Sequence, residues 1–217
     1  MVNKYLDASK DVSLNQKFRQ KRFSFFKSLI NKLSKPIRIL DIGGTQNYWE
    51  RMNFAHENVE ITLLNLNKEP VSSSFFKSVI GDAADLREFK DQEFDVVFSN
   101  SVIEHLFTYE NQKKMADEIR RVGKNYFVQT PNYYFPIEPH WLFPFFQFLP
   151  FQLKVKLTQK FDLGNYPKSI TEDAAISRVN EVKLLTSKQI KALFPDGEIY
   201  NEKFLLMNKS FTMYKFK

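Results

Sequence analysis

Residues 37–44 read Ile-Arg-Ile-Leu-Asp-Ile-Gly-Gly, an almost continuous apolar run that ends at an acid and two adjacent glycines. A run of this kind predicts a strand of a parallel sheet that is covered on both faces. The two glycines predict a tight turn directly after the strand. Because ligands of open parallel sheets bind beyond the carboxyl ends of the strands, this stretch favours a ligand-binding turn.

Further apolar runs alternate with helical patterns along the chain, which predicts an α/β fold. The expected architecture is a Rossmann-like, mostly parallel sheet of seven strands, with helices on both faces and an antiparallel C-terminal hairpin that breaks at Asn208-Lys209. Strands are predicted at 37–42, 59–67, 76–83, 94–100, 125–131 and in the hairpin runs 197–207 and 209–216. Helices are predicted at 13–33, 47–54, 83–89 (one short turn), 111–123 (stopped by Gly123) and 186–195.

Each of the first five predicted strands ends in small or polar residues. Packing of a buried strand does not require such endings, so their coincidence at one edge of the sheet indicates a binding site. The five strand ends are Asp41-Ile42-Gly43-Gly44, Asn65 to Asn67, Gly81-Asp82-Ala83, Ser99-Asn100-Ser101 and Thr130-Pro131-Asn132.

The residues directly after Gly43 and Gly44 narrow the kind of ligand. The chain continues Thr45-Gln46-Asn47 and has neither the G-x-G-x-x-G of a dinucleotide site nor a G-x-x-x-x-G-K-[ST] phosphate loop. A nucleoside-like ligand without phosphates is therefore expected, and the acid at the strand end suits a cationic one. Taken singly, these residues also fit a helix cap and a purely structural turn, and Asp82 also fits a cap of the helix predicted after it.

The ordered segments ILDIGG, ITLLNLN, VIGDAADL, FDVVFSNSVIEHL and VQTPN, within about residues 35–135, resemble the class I S-adenosylmethionine-dependent methyltransferases. The likeness is greatest to the branch with "EHL" after the fourth strand, which includes ubiquinone-type and small-molecule methyltransferases. The resemblance implies S-adenosylmethionine as the cofactor and methyl transfer as the activity.

The resemblance also implies a role for each residue at the strand ends. Asn65 stands where the family usually has an acid that binds the ribose hydroxyls, and Thr45 and Asn47 replace two further glycines. The implied cofactor-binding residues are Asp41, Gly43, Gly44, Ser99 and Asn100 at the methionine side, Asn65 at the ribose, and Asp82 and Ala83 at the adenine.

Three residues are candidates for catalysis. His105 follows the fourth strand, while Glu138 and His140 lie between prolines in the loop after the fifth, which faces the transferred methyl group in the family fold. A histidine titrates near neutral pH and can accept a proton from a nucleophile. The alternative is that His105 only packs or hydrogen-bonds and that the loop is an aromatic plug. With no cysteine and three histidines in all, no metal site is expected.

The net charge of +7 is concentrated at the start of the chain. Residues 1–38 carry ten Lys and Arg against Asp7 and Asp11. This excess predicts contact with an anionic membrane or an acidic substrate, or else a solvated helix face. Nucleic acid is not expected, because the Asn/Asp-Pro-Pro-aromatic motif that grips a flipped base is missing.

The chain divides into a basic amphipathic N-terminal segment (1–35) and a methyltransferase domain (36–217), in which 133–185 forms an aromatic-rich substrate lid. No apolar signal segment begins the chain, and the apolar tract 141–153 is too short to span a bilayer. A cytoplasmic protein, or one peripheral to the inner face of the membrane, is therefore expected.

Three functions are consistent with these features. The first is methyl transfer to a small molecule, with oxygen on a sugar, a cell-envelope glycan or a lipid-like molecule as the preferred acceptor. The second is a catalytically degenerate binding protein, suggested by Asn65 and the missing glycines. The third is RNA modification, which rests on the basic segment alone.

Overall fold

A computed structural model describes residues 14–54 and 58–216, so the predictions for residues 1–13 and for His56 fall outside the described residues. Seven strands form one sheet in the order β3-β2-β1-β4-β5-β7-β6, with β7 antiparallel to both of its neighbours and the other pairings parallel. The predicted fold class is confirmed. The strands are β1 (Ile37–Ile42), β2 (Val59–Asn65), β3 (Phe76–Ile80), β4 (Phe94–Asn100), β5 (Gly123–Pro131), β6 (Glu198–Phe204) and β7 (Met207–Lys215).

Helices cover both faces of the sheet. Among the described residues, no helix is long and apolar enough to cross a membrane. Within residues 14–54 and 58–216 the α-helices are α1 (Leu14–Ile30), α2 (Gln46–Arg51), α3 (Tyr109–Val122), α4 (Phe151–Lys160), α5 (Glu172–Asn180) and α6 (Ser187–Leu193), and short 3-10 turns lie at Ile103–His105 and Phe146–Phe148.

The continuous apolar character of β1 is explained by burial on both sides. Ile37 and Ile39 pack with α1 and with Trp49 of α2 on one face. Leu40 and Ile42 pack with α3 and α6 on the other. Because successive side chains of a strand point to opposite faces, a strand in this position must be apolar at almost every residue.

Residues 133–185 have a small core of their own. Trp141 and Phe146, from the loop after β5, pack against Val155 of α4 and Ala175 of α5. The Trp141 and Phe146 rings are stacked, with centroids 4.6 Å apart. This segment is therefore an ordered unit beside the sheet; its role as a lid stays a prediction.

Helix α1 is attached to the sheet by its apolar face and by one buried ion pair. Phe23 and Phe26 are buried against the sheet. Arg22 Nη1 donates to Glu202 Oε2 of β6 at 2.8 Å, and Ser210 Oγ of β7 donates to Glu202 Oε1 at 3.1 Å. A buried charge pair joins elements that are 180 residues apart in sequence.

Helix α3 ends as predicted but begins earlier. Thr108 Oγ1 accepts from the N–H of Asn111 at 3.1 Å, so this threonine caps a helix that starts two residues before the predicted 111–123. Gly123 ends the helix and is also the first residue of β5. The helix therefore passes directly into the strand, which explains why β5 begins before the predicted residue 125.

The short helical turn predicted at 83–89 is wrong, because the segment forms turns and an isolated bridge between Asp82 and Asp85. Asp82 Oδ1 accepts from the N–H of Ala84 at 2.9 Å. Glu118 Oε2, on α3, accepts from the N–H of Leu86 at 2.7 Å. Side chains satisfy these backbone groups in place of helical hydrogen bonds, so Asp82 caps no helix.

The predicted position of the hairpin turn is also wrong. The turn lies at Leu205 and Leu206, which are 78% and 96% exposed, and not at Asn208-Lys209. Asn132, which follows β5, donates to the carbonyl oxygens of Asn208 (2.7 Å) and Lys209 (3.0 Å). These contacts keep both residues in β7, and the chain reverses before them.

Candidate active site

A broad cleft of 1390 Å³ lies beyond the carboxyl ends of β1, β2 and β3. Val102 and His105, which follow β4, also line it. The cleft therefore includes the point between β1 and β4 where the strand order of the sheet reverses. Of the residues predicted to form the site, five line this cleft: Gly43, Asn65, Asp82, Ala83 and His105.

The acid at the end of β1 lies beneath the glycine turn. Asp41 is buried, and its Oδ2 accepts from the indole Nε1 of Trp49 at 2.6 Å. A Cβ on Gly44 would stand 1.6 Å from the same Oδ2. The buried carboxylate therefore requires glycine at position 44 and joins the turn to α2.

Gly43 and Asn65 complete the turn. Gly43 has φ +75°, in the left-handed region, and a Cβ there would meet Val102 Cγ2 at 2.5 Å. Asn65 Nδ2 donates to the carbonyl oxygen of Gly44 at 2.9 Å. A carboxylate at position 65 could not make this bond, so the unusual asparagine closes a turn that is poor in glycine.

Burial of Asp41 raises its pKa to about 8, although the Trp49 hydrogen bond acts in the opposite direction. An acid with a higher pKa in the folded than in the unfolded protein binds its proton more tightly in the folded state. Its contribution to the free energy of unfolding is therefore complete below the pKa of the unfolded protein, and it is lost as the pH rises to the pKa of the folded protein. The protonated form of Asp41 is thus the one that the folded protein favours at neutral pH.

We expect Asp41→Asn to have little effect on stability near pH 4 and to become increasingly stabilising, relative to the wild type, up to about pH 8. The difference should grow by roughly 1.4 kcal/mol for each pH unit within this window. Urea unfolding of both proteins at a series of pH values measures it. A difference that does not vary with pH would mean that Asp41 is ionised in the folded protein.

The predicted adenine-side residues lie on the opposite wall of the cleft. Asp82 is exposed and commits one carboxylate oxygen to the Ala84 N–H, and Ala83 is buried beside it. They follow β3, whose last residue Ile80 pairs with Asn65 of β2. The ribose-side and adenine-side candidates therefore lie on adjacent strands.

The two candidates at the end of β4 do not line the cleft directly. Ser99 is fully buried and Asn100 half-buried. Among the described residues, Ser99 Oγ and Asn100 Oδ1 are buried polar atoms without a hydrogen-bond partner. Buried polar groups in proteins are nearly always paired, so these atoms mark a place suited to a polar ligand or water.

The three predicted catalytic residues come together although they lie on separate segments. His140 Nδ1 is 2.6 Å from Glu138 Oε1, and His140 Nε2 is 3.2 Å from His105 Nε2. Glu138 is buried, and its Oε2 accepts from the backbone N–H groups of His140 (2.7 Å) and Trp141 (2.8 Å). Glu138 thus fixes the orientation of the His140 ring toward His105.

Sequence reasoning missed the importance of Glu104. It is fully buried; its Oε2 accepts from Thr130 Oγ1 at 3.0 Å, and its Oε1 has no partner among the described residues. Ligand atoms of Glu104, His105 and His140 all lie within 4.8 Å of one another. The sequence feature that could have indicated this role is the charged residue within the apolar run Val-Ile-Glu-His-Leu.

Three neighbouring residues, Glu104, His105 and His140, have pKa values shifted from their ordinary ones. Burial raises the pKa of Glu104 to about 7. Burial and the neighbouring His140 lower the pKa of His105 to about 4. Burial also acts to lower the pKa of His140, but the Glu138 carboxylate outweighs it and the net shift is upward. Such clustering is typical of functional sites.

A smaller cavity of 210 Å³ lies beside Glu138 inside the segment 133–185. Trp141 and Gln147 line it, and the indole Nε1 of the first and the Oε1 of the second are buried without partners among the described residues. The cavity therefore offers one unused donor and one unused acceptor between aromatic walls.

Residues 40–126 match the protein family described as "Methyltransferase domain". This segment, less than half of the chain, is similar to a methyltransferase domain. The matched residues run from β1 into β5 and include the glycine turn, both cleft walls and His105, but not Glu138 or His140.

Solved structures show that the chain has the fold of class I methyltransferases. An S-adenosylmethionine-dependent methyltransferase from Methanosarcina mazei is 13% identical, with a TM-score of 0.51 over 85% of this chain and 93% of the other. A phosphoethanolamine N-methyltransferase from Haemonchus contortus, in complex with S-adenosylmethionine, is 16% identical, with a TM-score of 0.51 over 83% of this chain and 38% of the other. At these identities the likenesses show a shared fold.

A curated relative is also similar over a short segment. An uncharacterized protein of Mycobacterium tuberculosis is 36% identical over 56 residues, which are 26% of this chain and 19% of the length of that protein.

Proposed function

We propose that the protein transfers the methyl group of S-adenosylmethionine to an oxygen atom of a small-molecule acceptor. The observation that carries the proposal is the position of His105. It lines the cleft at the glycine turn and lies 3.2 Å from His140, which Glu138 orients. A cofactor in the cleft and an acceptor at the histidines would meet at this point.

The residues of the cleft fit the cofactor. Gly43 lines the cleft, and the two glycines allow the tight turn at the end of β1 that forms this part of its wall. The unpaired Ser99 Oγ and Asn100 Oδ1 lie buried at the end of β4, behind the lining of the cleft, on the side proposed for the methionine part. Asn65 retains its amide oxygen for the ribose while its Nδ2 holds the turn.

The reaction needs positioning more than acid–base power. An oxygen lone pair of the acceptor forms a bond to the methyl carbon, the carbon–sulfur bond breaks, and its electron pair stays on sulfur as the neutral thioether. The hydroxyl proton of the acceptor would pass to an imidazole nitrogen of the histidine pair and from there to solvent. His105 and His140 would hold and activate the hydroxyl, with Glu138 as the positioning residue.

We propose a sugar, a cell-envelope glycan or a lipid-like molecule as the acceptor. The unpaired Trp141 Nε1 and Gln147 Oε1 in the cavity beside Glu138 suit hydroxyl groups. Exposed aromatic rings surround this segment, and such rings can stack on sugar faces or cover an apolar chain. They include Tyr134, Phe145, Phe148 and Phe151.

The degenerate, non-catalytic alternative is weakened by the environment of Asn65. The missing acid and glycines suggested it from the sequence. The Asn65 amide nevertheless bonds to Gly44 and closes the turn, and the predicted histidine and glutamate candidates meet at one place. A chain that only bound a partner would not need the cluster of His105, Glu138 and His140.

Calorimetry with S-adenosylmethionine tests the proposed function directly. We expect saturable binding of one cofactor per chain with a dissociation constant in the micromolar range. Binding that is absent or only millimolar would refute the enzyme hypothesis. Acceptor classes are separated by methyl-labelled cofactor: incorporation into a polar glycan fraction or an organic lipid fraction supports the proposal, and incorporation into RNA alone contradicts it.

Asp82 provides a matched pair of variants for cofactor binding. One carboxylate oxygen accepts from the Ala84 N–H, and the other is proposed to accept from the adenine amine. We expect Asp82→Ala to weaken binding by about 1–3 kcal/mol. Asp82→Asn keeps the first acceptor and removes the second, so it should lose nearly as much. If calorimetry gave Asp82→Asn the cofactor affinity of the wild type, Asp82 would only stabilise the turn and would not bind the adenine.

We also propose that α1 makes peripheral contact with an anionic membrane or an acidic substrate. Lys17, Arg19 and Lys21 are exposed on this helix. We expect the triple change to Gln to weaken sedimentation with vesicles that contain phosphatidylglycerol by about 1 kcal/mol per residue.

A control triple variant removes the same charge from other exposed lysines. The proposed contact of α1 would be contradicted if the control and the α1 variant lost the same amount of vesicle binding. It would also be contradicted if the wild type sedimented equally well with vesicles of pure phosphatidylcholine. The control positions are Lys188, Lys191 and Lys203.

A further inference from the structure

We propose that Glu104, His105 and His140 form a binding site for one divalent transition-metal ion of the zinc type. The inference deepens the proposed function and rests on it for the role of the ion, though not for its binding. The sequence predicts no metal site, since it has no cysteine and three histidines in all. The fold nevertheless brings ligand atoms of these three residues, which lie on two distant segments, within 4.8 Å of one another.

The two histidines have the separation expected of ligands to one ion. Their Nε2 atoms face each other at 3.2 Å. Two nitrogens bound to zinc at about 2.0–2.1 Å, with a tetrahedral angle between them, lie about 3.3 Å apart. A hydrogen bond between the rings would use the same two atoms, so the ion and that bond are mutually exclusive.

Glu104 supplies the third ligand. Its side chain is fully buried, and Oε1 has no hydrogen-bond partner among the described residues. An unpaired carboxylate oxygen in the interior is costly unless a cation is near it. Thr130 Oγ1 donates to the other oxygen at 3.0 Å and so holds the carboxylate in place.

Glu138 is the supporting residue outside the ligand set. Its Oε1 lies 2.6 Å from His140 Nδ1, which makes this nitrogen the donor and leaves Nε2 free to bind the ion. Histidines that bind metals regularly donate their other N–H to a carboxylate in this way. Backbone N–H groups of His140 and Trp141 anchor Glu138 in turn.

The donor set defines the chemical class of the ion and its role. Two imidazoles and one carboxylate suit zinc and similar ions, and three protein ligands leave a position open. His105 also lines the cofactor cleft. With both Nε2 atoms bound to the ion, the ion would take over from the two imidazoles the activation of the acceptor hydroxyl. A hydroxyl in the open position would lose its proton to solvent more readily, because a bound cation lowers the pKa of a coordinated oxygen. Its oxygen would then attack the sulfonium methyl group.

Titration of the untagged, metal-free protein with zinc tests the site without any activity measurement. We expect one tight site per chain, and cobalt at the same site should show the visible absorption of a four- or five-coordinate ion. Glu104→Gln and His140→Gln should each weaken zinc binding by about 100-fold or more. Glu138→Gln should weaken it by about 10- to 100-fold, as expected for a supporting residue.

The matched control is Glu198→Gln, which changes an exposed carboxylate on β6. It should bind zinc as the wild type does. Absence of a stoichiometric site in the wild type, or equal affinity in all variants, would overturn the proposal. Binding of S-adenosylhomocysteine, measured on the same samples, verifies that each variant is folded. It also separates failure of the metal site from failure of the proposed function, since each ligand is scored by itself.

Discussion

Gly44→Ala is expected to abolish useful cofactor binding. The added methyl group would stand 1.6 Å from Asp41 Oδ2 and 2.1 Å from its Cγ, inside the core. The carboxylate cannot retreat without losing its bond to Trp49, so the turn itself must move. We expect a loss of about 3 kcal/mol in stability and a fall of about 100-fold or more in affinity for S-adenosylhomocysteine, equivalent to about 2.8 kcal/mol.

The cause can be isolated with a second substitution. In an Asp41→Ala background the clashing carboxylate is gone, so adding Gly44→Ala should cost far less than it does in the wild type. Gly43→Ala is the control, because its strain comes from φ +75° and Val102 and not from Asp41. Urea unfolding and calorimetry of all variants measure both effects. An equal cost of Gly44→Ala in both backgrounds would show that the carboxylate is not the reason for glycine at 44.

Glu202→Ala is expected to be the most destabilising change outside the cleft. It would leave the buried Arg22 guanidinium without its partner and Ser210 without its acceptor. Removing one partner of a buried ion pair typically costs about 3–5 kcal/mol, because an uncompensated charge stays in the interior. Denaturant unfolding monitored by circular dichroism measures the loss.

Two further variants define what the ion pair contributes. Arg22→Met with Glu202→Leu removes both charges and replaces them by apolar groups, and we expect its stability to be close to that of the wild type. Glu198→Ala, on the same strand, removes an exposed carboxylate and should change stability by less than about 0.5 kcal/mol. If Glu202→Ala were as mild as Glu198→Ala, Arg22 would be hydrated in solution and α1 would be held by its apolar face alone.

The parallel part of the fold follows from local patterns. Strands β1 and β4 have the bounds predicted for them, since a strand buried on both faces must be apolar almost throughout. The capping box at Thr186 and Gln189 likewise fixes the start of α6 as predicted. Such signals lie within a few residues of the feature that they specify.

Other features depend on contacts between distant segments and could not be read locally. The turn at Leu205 and Leu206 has no turn residues; Asn132, more than 70 residues earlier, decides it by holding the first residues of β7. The turns after Asp82 replace a helix because Glu118 reaches across from α3. The local pattern of polar and apolar residues indicates neither the position of the hairpin turn nor the turns after Asp82.

The candidate site shows the same division. Residues at strand ends could be assigned to one rim, because parallel strands end at the same edge. The 3.2 Å approach of His105 and His140 could not be foreseen, since 35 residues separate them. The role of Glu104 required knowledge of its complete burial, which depends on packing around the turn at Ile103–His105.

The ion pair between α1 and β6 also bears on how the protein is made. A ribosome adds about 5–20 residues per second, so Arg22 emerges roughly ten to forty seconds before Glu202, which lies 180 residues later. During that interval the nascent chain can settle the rings of Phe23 and Phe26 against β1, but the guanidinium beside them has no counter-charge. We expect ribosome-bound chains that stop short of the hairpin to hold α1 loosely and to be degraded readily, and translation of the last strands to be the event that secures the first helix.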